Sequence, residues 1–130
     1  PTLLELAAAS DILLVACEGG EANRGLVSAD VIEAVGPNGF LVNTARGPIV
    51  DQTALVSALK AGRLKGAALD VFDGEPQVPA ELMAMENVVL TPHIASSTDE
   101  TRRAMGDLVY DNLRAHFDGK QVLTPVPPQK

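Results

Sequence analysis

Three side chains of this 130-residue chain, Arg46, Glu75 and His93, are of the types needed to hold a carboxylate, orient a base and move a proton. Arg46 stands in Asn43-Thr44-Ala45-Arg46-Gly47, where its planar fork can grip a carboxylate through two parallel hydrogen bonds. Glu75 belongs to Asp70-Val71-Phe72-Asp73-Gly74-Glu75-Pro76, a stretch with three acids. His93 lies in Thr91-Pro92-His93-Ile94-Ala95-Ser96, and an imidazole exchanges protons near neutral pH. Taken singly, each has an ordinary explanation: a solvated arginine, loop and cap acids, a histidine satisfied by backbone. His116 has only that kind of reading, as a surface side chain near a helix C-terminus. What gives the other three weight is where the elements around them must place them.

Residues 3–7 carry an apolar stripe that predicts a short helix, ended before Ser10-Asp11. Residues 12–17 form a continuous apolar run, the pattern of a strand buried on both faces, and Glu18-Gly19-Gly20-Glu21 breaks it. Ser28 is placed to cap a helix through Val35, which Gly36-Pro37-Asn38-Gly39 stops. Further strands are expected at 40–44, 66–71 and 88–91. Asp51 is placed to cap a helix with Leu55, Val56 and Leu59 on one face, ended by Gly62. The last helix reads as opening on a capping box from Ser97 to Glu100. Met105, Leu108, Val109, Leu113 and Phe117 then line one of its faces until Gly119. Strands alternating with helices imply right-handed crossovers and a parallel sheet, hence an α/β fold. In such sheets ligands bind beyond the carboxyl ends of the strands, which selects residues 17–20, 44–47, 70–76 and 91–96. Arg46, Glu75 and His93 all fall inside that selection.

Composition excludes several alternatives. The net charge of −7 opposes nucleic-acid binding, which needs clustered Lys and Arg. No apolar run approaches the roughly 20 residues needed to cross a bilayer, and no signal-peptide pattern is present. Two histidines and one cysteine make no metal site, and lone Cys17 fits a reducing, cytoplasmic compartment. Few aromatics leave a core of Leu, Val, Ile and Ala, which suits helices packed on a parallel sheet.

The segments 43–47, 69–76 and 91–96 resemble signature regions of the D-isomer-specific 2-hydroxyacid dehydrogenases. The likeness runs from Leu3-Leu4-Glu5-Leu6 to Thr124-Pro125-Val126, with Gly36-Pro37-Asn38-Gly39, Gly62-Arg63-Leu64-Lys65-Gly66-Ala67 and Asn87-Val88-Val89 in family order. The resemblance implies the second half of a Rossmann-like, doubly wound parallel sheet of about four strands with a long C-terminal helix. It assigns residues 1–118 to the NAD(P)-binding domain and 119–130 to a tail returning to the substrate domain. By it, Arg46 binds the substrate carboxylate, His93 is the general acid/base, and Glu75 pairs with His93 and favours its protonated form. The cofactor contacts it implies are Cys17, Glu18, Thr44, Ala45, Arg46, Asp70, His93, Ala95 and Ser96, with Asp70 near the nicotinamide carboxamide.

Within the family, Ala16-Cys17-Glu18-Gly19-Gly20 is similar to the Cys-Pro-Gly-Gly loop of the glyoxylate/hydroxypyruvate reductase branch, with Glu18 where proline is expected. Glu75, with no Gln in its place, argues against the formate dehydrogenase branch. No regulatory tail follows residue 130, so the phosphoglycerate dehydrogenases that carry one gain no support. The reaction implied is hydride transfer between NAD or NADP and a small 2-oxo or 2-hydroxy acid, in a cytoplasmic homodimer. Phosphite-type oxidation and a non-catalytic, corepressor-like module are the competing functions on the same scaffold. No Gly-x-Gly-x-x-Gly occurs in these 130 residues, so the family's pyrophosphate turn is expected before residue 1. The expectation is a chain that holds catalytic groups without activity by itself, and an open edge on its first strand.

Overall fold

The structure, a computed structural model, describes residues 1–127; residues 128–130 of the expected 119–130 tail lie outside them. Two compact units follow one another, Pro1–Ile94 and a second beginning at Ala95. In the first, β1 (Ile12–Val15), β2 (Phe40–Asn43), β3 (Gly66–Leu69) and β4 (Val88–Leu90) form one parallel sheet in that order. Between and before them lie α1 (Leu3–Ala8), α2 (Ala29–Val35), α3 (Gln52–Lys60) and the single-turn α4 (Ala80–Met83). The expected α/β architecture is present.

Register decides which side chains reach the core. Leu13 aligns with Leu41 and Ala67, and Val15 with Asn43 and Leu69. Because strand side chains alternate with period two, this row shares one face and packs with Val31, Ile32, Leu55, Leu59 and Leu82 from the helices. The opposite row does not. Ile12 and Leu14 are each 60 % exposed, so β1 is not buried on both faces as its apolar run predicts. A continuous apolar run makes both faces fit for burial; only the face toward the helices of this unit meets them.

Each strand also stops before its apolar run does, at Val15, Asn43, Leu69 and Leu90 instead of Cys17, Thr44, Val71 and Thr91. The last rungs of the ladder show why. The N–H groups of Thr44, Asp70 and Thr91 donate to the carbonyls of Val15, Asn43 and Leu69, at 3.2, 3.0 and 3.0 Å. Beyond these bonds the ladder ends, and Val71 and Phe72 are buried just before a turn at residues 73–76.

The caps are partly as expected. The Asp51 carboxylate accepts from the Ala54 N–H at 2.9 Å, whereas Ser28 occupies its cap position with no side-chain bond. A capping box not expected from the sequence opens α1, where Thr2 and Glu5 bond each other's backbone N–H.

The second unit holds α5 (Asp99–Phe117). Its cap is Thr98, one residue beyond the expected Ser97: the Thr98 hydroxyl accepts from the Thr101 N–H at 3.2 Å. Ser97 instead accepts from the Arg102 guanidinium at 2.7 Å, which removes it from the capping role. Within α5 only Ala115 is buried, and the stripe from Met105 to Phe117 is exposed.

Candidate active site at the strand ends

All four strands point the same way, so the segments that follow them gather at one edge of the sheet. At the end of β2, Asn43 is 1 % exposed and spends its whole side chain on the next turn. Its Oδ1 accepts from the Ala45 N–H at 3.0 Å and its Nδ2 donates to the Arg46 carbonyl at 3.1 Å. This Asx-type turn fixes the backbone that carries Arg46. The Arg46 side chain lies out in the open, with Nη1 donating to the Ala45 carbonyl at 2.7 Å. A Cβ on Gly19 would stand 2.7 Å from the Arg46 Cγ, so the glycine after β1 leaves the room in which this side chain lies. Arg46 borders a cavity of about 480 Å³ together with Gly19, Gly20, Glu21, Arg24, Pro48 and Ile49. Arg24 is engaged by Glu21 and Asp73, at 3.4 and 3.6 Å.

Glu75 and His93 meet directly. Nδ1 of His93 lies 2.7 Å from Oε2 of Glu75, and Oε1 of Glu75 accepts from the Phe72 N–H at 2.9 Å. The hydrogen bond to His93, then that from the Phe72 amide, hold the Glu75 carboxyl below the usual carboxylate value, while burial pulls the other way. The positive charges of His93 and Arg46 add smaller contributions in the lowering direction. A carboxylate can only accept, so Nδ1 carries the proton in this pair and Nε2 is left to exchange one with a ligand. The pair borders a cavity of about 160 Å³ walled by Phe72, Pro76, Val78 and Pro92. His93 itself has φ of 53°, the left-handed region that non-glycine residues enter at a cost. The arrangement can bind an anion beside a proton donor whose tautomer is set.

Residues 1–95 match the family described as D-isomer specific 2-hydroxyacid dehydrogenase, NAD binding domain. The chain belongs to this family. It is 57 % identical over 126 residues to a glyoxylate/hydroxypyruvate reductase A of Arabidopsis thaliana, covering 97 % of this chain and 40 % of that protein. It is 55 % identical over 125 residues to a hydroxyphenylpyruvate reductase of Plectranthus scutellarioides, covering 96 % and 40 %. A crystal structure of NADPH-dependent glyoxylate/hydroxypyruvate reductase from Sinorhizobium meliloti, in complex with NADP and malonate, superimposes with a TM-score of 0.93 at 50 % identity. That match covers 97 % of this chain and 40 % of the other. The fold is therefore that of a Rossmann-like NAD-binding domain. The chain spans about 40 % of the length of the relatives it matches.

Cys17, Glu18 and Thr44 are exposed beyond β1 and β2, and the Glu18 carbonyl accepts from the Asn23 amide at 2.8 Å. Ala45 is buried in the Asn43 turn. Asp70, 5 % exposed, has Oδ1 accepting from the Thr91 hydroxyl at 2.5 Å and the Ile94 N–H at 2.8 Å. Ala95 and Ser96 are exposed residues that open the second unit. His116 is exposed in the last turn of α5, edge-on to the Phe117 ring. Among the described residues no group of His, Cys, Asp and Glu could hold a metal, and no helix is long and apolar enough to cross a membrane.

Sequence reasoning missed Asn43, Gly47 and Thr91 as parts of this candidate site. An Asn at a strand end two residues before an exposed turn is a recognisable Asx signal. The need for Gly47 left no such trace.

Proposed function

We propose that the chain supplies the catalytic groups and the nicotinamide side of an NAD(P)-dependent reductase of small 2-oxo acids, of glyoxylate or hydroxypyruvate type. The observation that carries this reading is the His93–Glu75 pair, 2.7 Å apart, on the sheet edge that also carries Arg46. Arg46 binds the substrate carboxylate. His93 presents Nε2 to the carbonyl oxygen and delivers the proton there, while Glu75 holds the ring through Nδ1. A bound nicotinamide supplies the hydride. Its end of the cofactor fits the exposed residues 17–20, 44 and 46, where Gly20 takes a φ of 126°. Residues 17, 18, 44–46, 70, 93, 95 and 96 are the proposed cofactor contacts, and the choice of NAD or NADP falls to residues outside this chain. Residues 1–118 are assigned to the cofactor domain and 119–130 to a tail reaching the substrate domain. The complete protein is proposed to be a cytoplasmic homodimer; exposed Cys17 suits a reducing compartment.

The test is turnover by the complete protein with NADH or NADPH over a panel of 2-oxo acids, with light scattering for its assembly. Reduction of glyoxylate or hydroxypyruvate is expected. Cofactor binding without reduction of any 2-oxo acid points to a corepressor-like module and overturns the proposal, as does phosphite oxidation in its place.

A further inference from the structure

The proton-transfer histidine proposed above sits in a conformation that its surroundings must enforce. A non-glycine residue at φ of 53° persists only where neighbouring bonds over-determine it. Here those bonds converge on Asp70. The His93 N–H donates to the Asp70 carbonyl at 2.9 Å and to the Thr91 carbonyl at 3.1 Å. The Ile94 N–H donates to Oδ1 of Asp70 at 2.8 Å, and the Thr91 hydroxyl donates to the same oxygen at 2.5 Å. Thr91 is anchored in turn, its N–H bonded to the Leu69 carbonyl at 3.0 Å.

We infer that Thr91 is a positioning residue for the reaction: its hydroxyl orients the buried Asp70 carboxylate so that the left-handed His93 turn aims Nδ1 at Glu75. A carboxylate pivots about a single bond. Two donors on one oxygen oppose that pivot, and loss of the Thr91 hydroxyl removes one of them. If the carboxylate turns, the Ile94 N–H loses its acceptor, the turn relaxes toward ordinary φ, and the ring leaves the 2.7 Å contact with Glu75. Thr91 thus acts through Asp70 and His93 and is not a catalytic group itself.

The inference rests on the proposed role of His93, and the experiment separates the two. In the complete protein, Thr91→Val removes the hydroxyl at nearly constant shape, while Thr91→Ser keeps it. For Thr91→Val the expected result is a kcat about tenfold to a hundredfold lower, the loss of a charge-assisted hydrogen bond, with Thr91→Ser close to wild type. Nitrogen-15 spectra of the His93 ring read the pair without any substrate. The Nδ1–H signal of the Glu75-bonded tautomer is expected in wild type and Thr91→Ser, and is expected to be lost in Thr91→Val. In the wild-type protein the His93 and Ile94 amides are expected to exchange slowly with solvent although their segment is exposed. Unchanged kcat and ring signal in Thr91→Val overturn the inference. If that variant does not fold, fast exchange of both wild-type amides overturns it instead. A wild-type protein that reduces no 2-oxo acid overturns the reaction, and the ring signal then still decides the role of Thr91.

Discussion

A Cβ placed on Gly47 would stand 1.9 Å from the carbonyl carbon of Phe72 and 2.0 Å from its oxygen. The turn after β2 therefore presses directly on the backbone that follows β3. Arg46 lies just before the contact on one side, and Glu75, bonded to the Phe72 N–H, lies just after it on the other. The spacing between Arg46 and the His93–Glu75 pair is thereby tied to a contact that only glycine permits.

Gly47→Ala is expected to force these two turns apart. Overpacking of this kind costs about 1–3 kcal/mol, and backbone on the far side cannot swing aside as a side chain could. Thermal melts should show the loss. Gly106→Ala, in α5 where nothing lies within 4 Å of the new Cβ, should instead be neutral or stabilising by up to about 1 kcal/mol. Equal behaviour of the two variants would remove the argument for Gly47.

Arg46→Ala in the complete protein should remove a bidentate grip on the substrate carboxylate. The expected loss is about 3–4 kcal/mol of transition-state binding, or about two to three decades in kcat/KM. Steady-state kinetics with glyoxylate checks it, and an unchanged kcat/KM takes Arg46 out of the site.

Asn43→Ala acts one step further back. It strands a buried Ala45 N–H and releases the Arg46 carbonyl, which should cost about 1–3 kcal/mol of stability. Because the turn under Arg46 is loosened, KM for the 2-oxo acid should rise more than kcat falls. A variant with full stability and an unchanged KM contradicts this role.

The Glu75 carboxyl is held below its ordinary value of 4.5 in the fold, mainly by the hydrogen bond to His93. A group whose value is lowered on folding stabilises fully above the unfolded value, and that stability is lost as pH falls through the folded one. Wild-type stability should therefore decline below about pH 4.5, and Glu75→Gln should flatten that decline. Melting curves of the two proteins across pH read the difference.

The 130-residue chain alone should show negligible NAD(P)H-dependent turnover, since no Gly-x-Gly-x-x-Gly turn for the pyrophosphate occurs in it. Substantial turnover by the purified segment would refute this.

Local signals in the chain determined a good deal by themselves. Apolar runs broken by Gly and Pro located all four strands, because burial and turn chemistry are written residue by residue. The Asp51 cap was legible for the same reason, and so was the placing of Arg46, Glu75 and His93 beyond strand ends, since the carboxyl end of a strand is a sequence position. Signals spread over two neighbouring choices were less well read: Ser97 and Thr98 are both capping residues, and the Arg102 guanidinium took Ser97.

Only tertiary structure decided how these pieces act on one another. Which face of β1 is covered depends on where helices pack, and an apolar run fits either face. That Nδ1 of His93 meets Glu75, that Asp70 fastens the His93 turn, and that Gly47 touches Phe72 are relations between residues 18 to 25 positions apart. Parallel pairing of β2, β3 and β4 brings them within bonding distance. No local propensity encodes such a distance; it exists only once the ladder is formed.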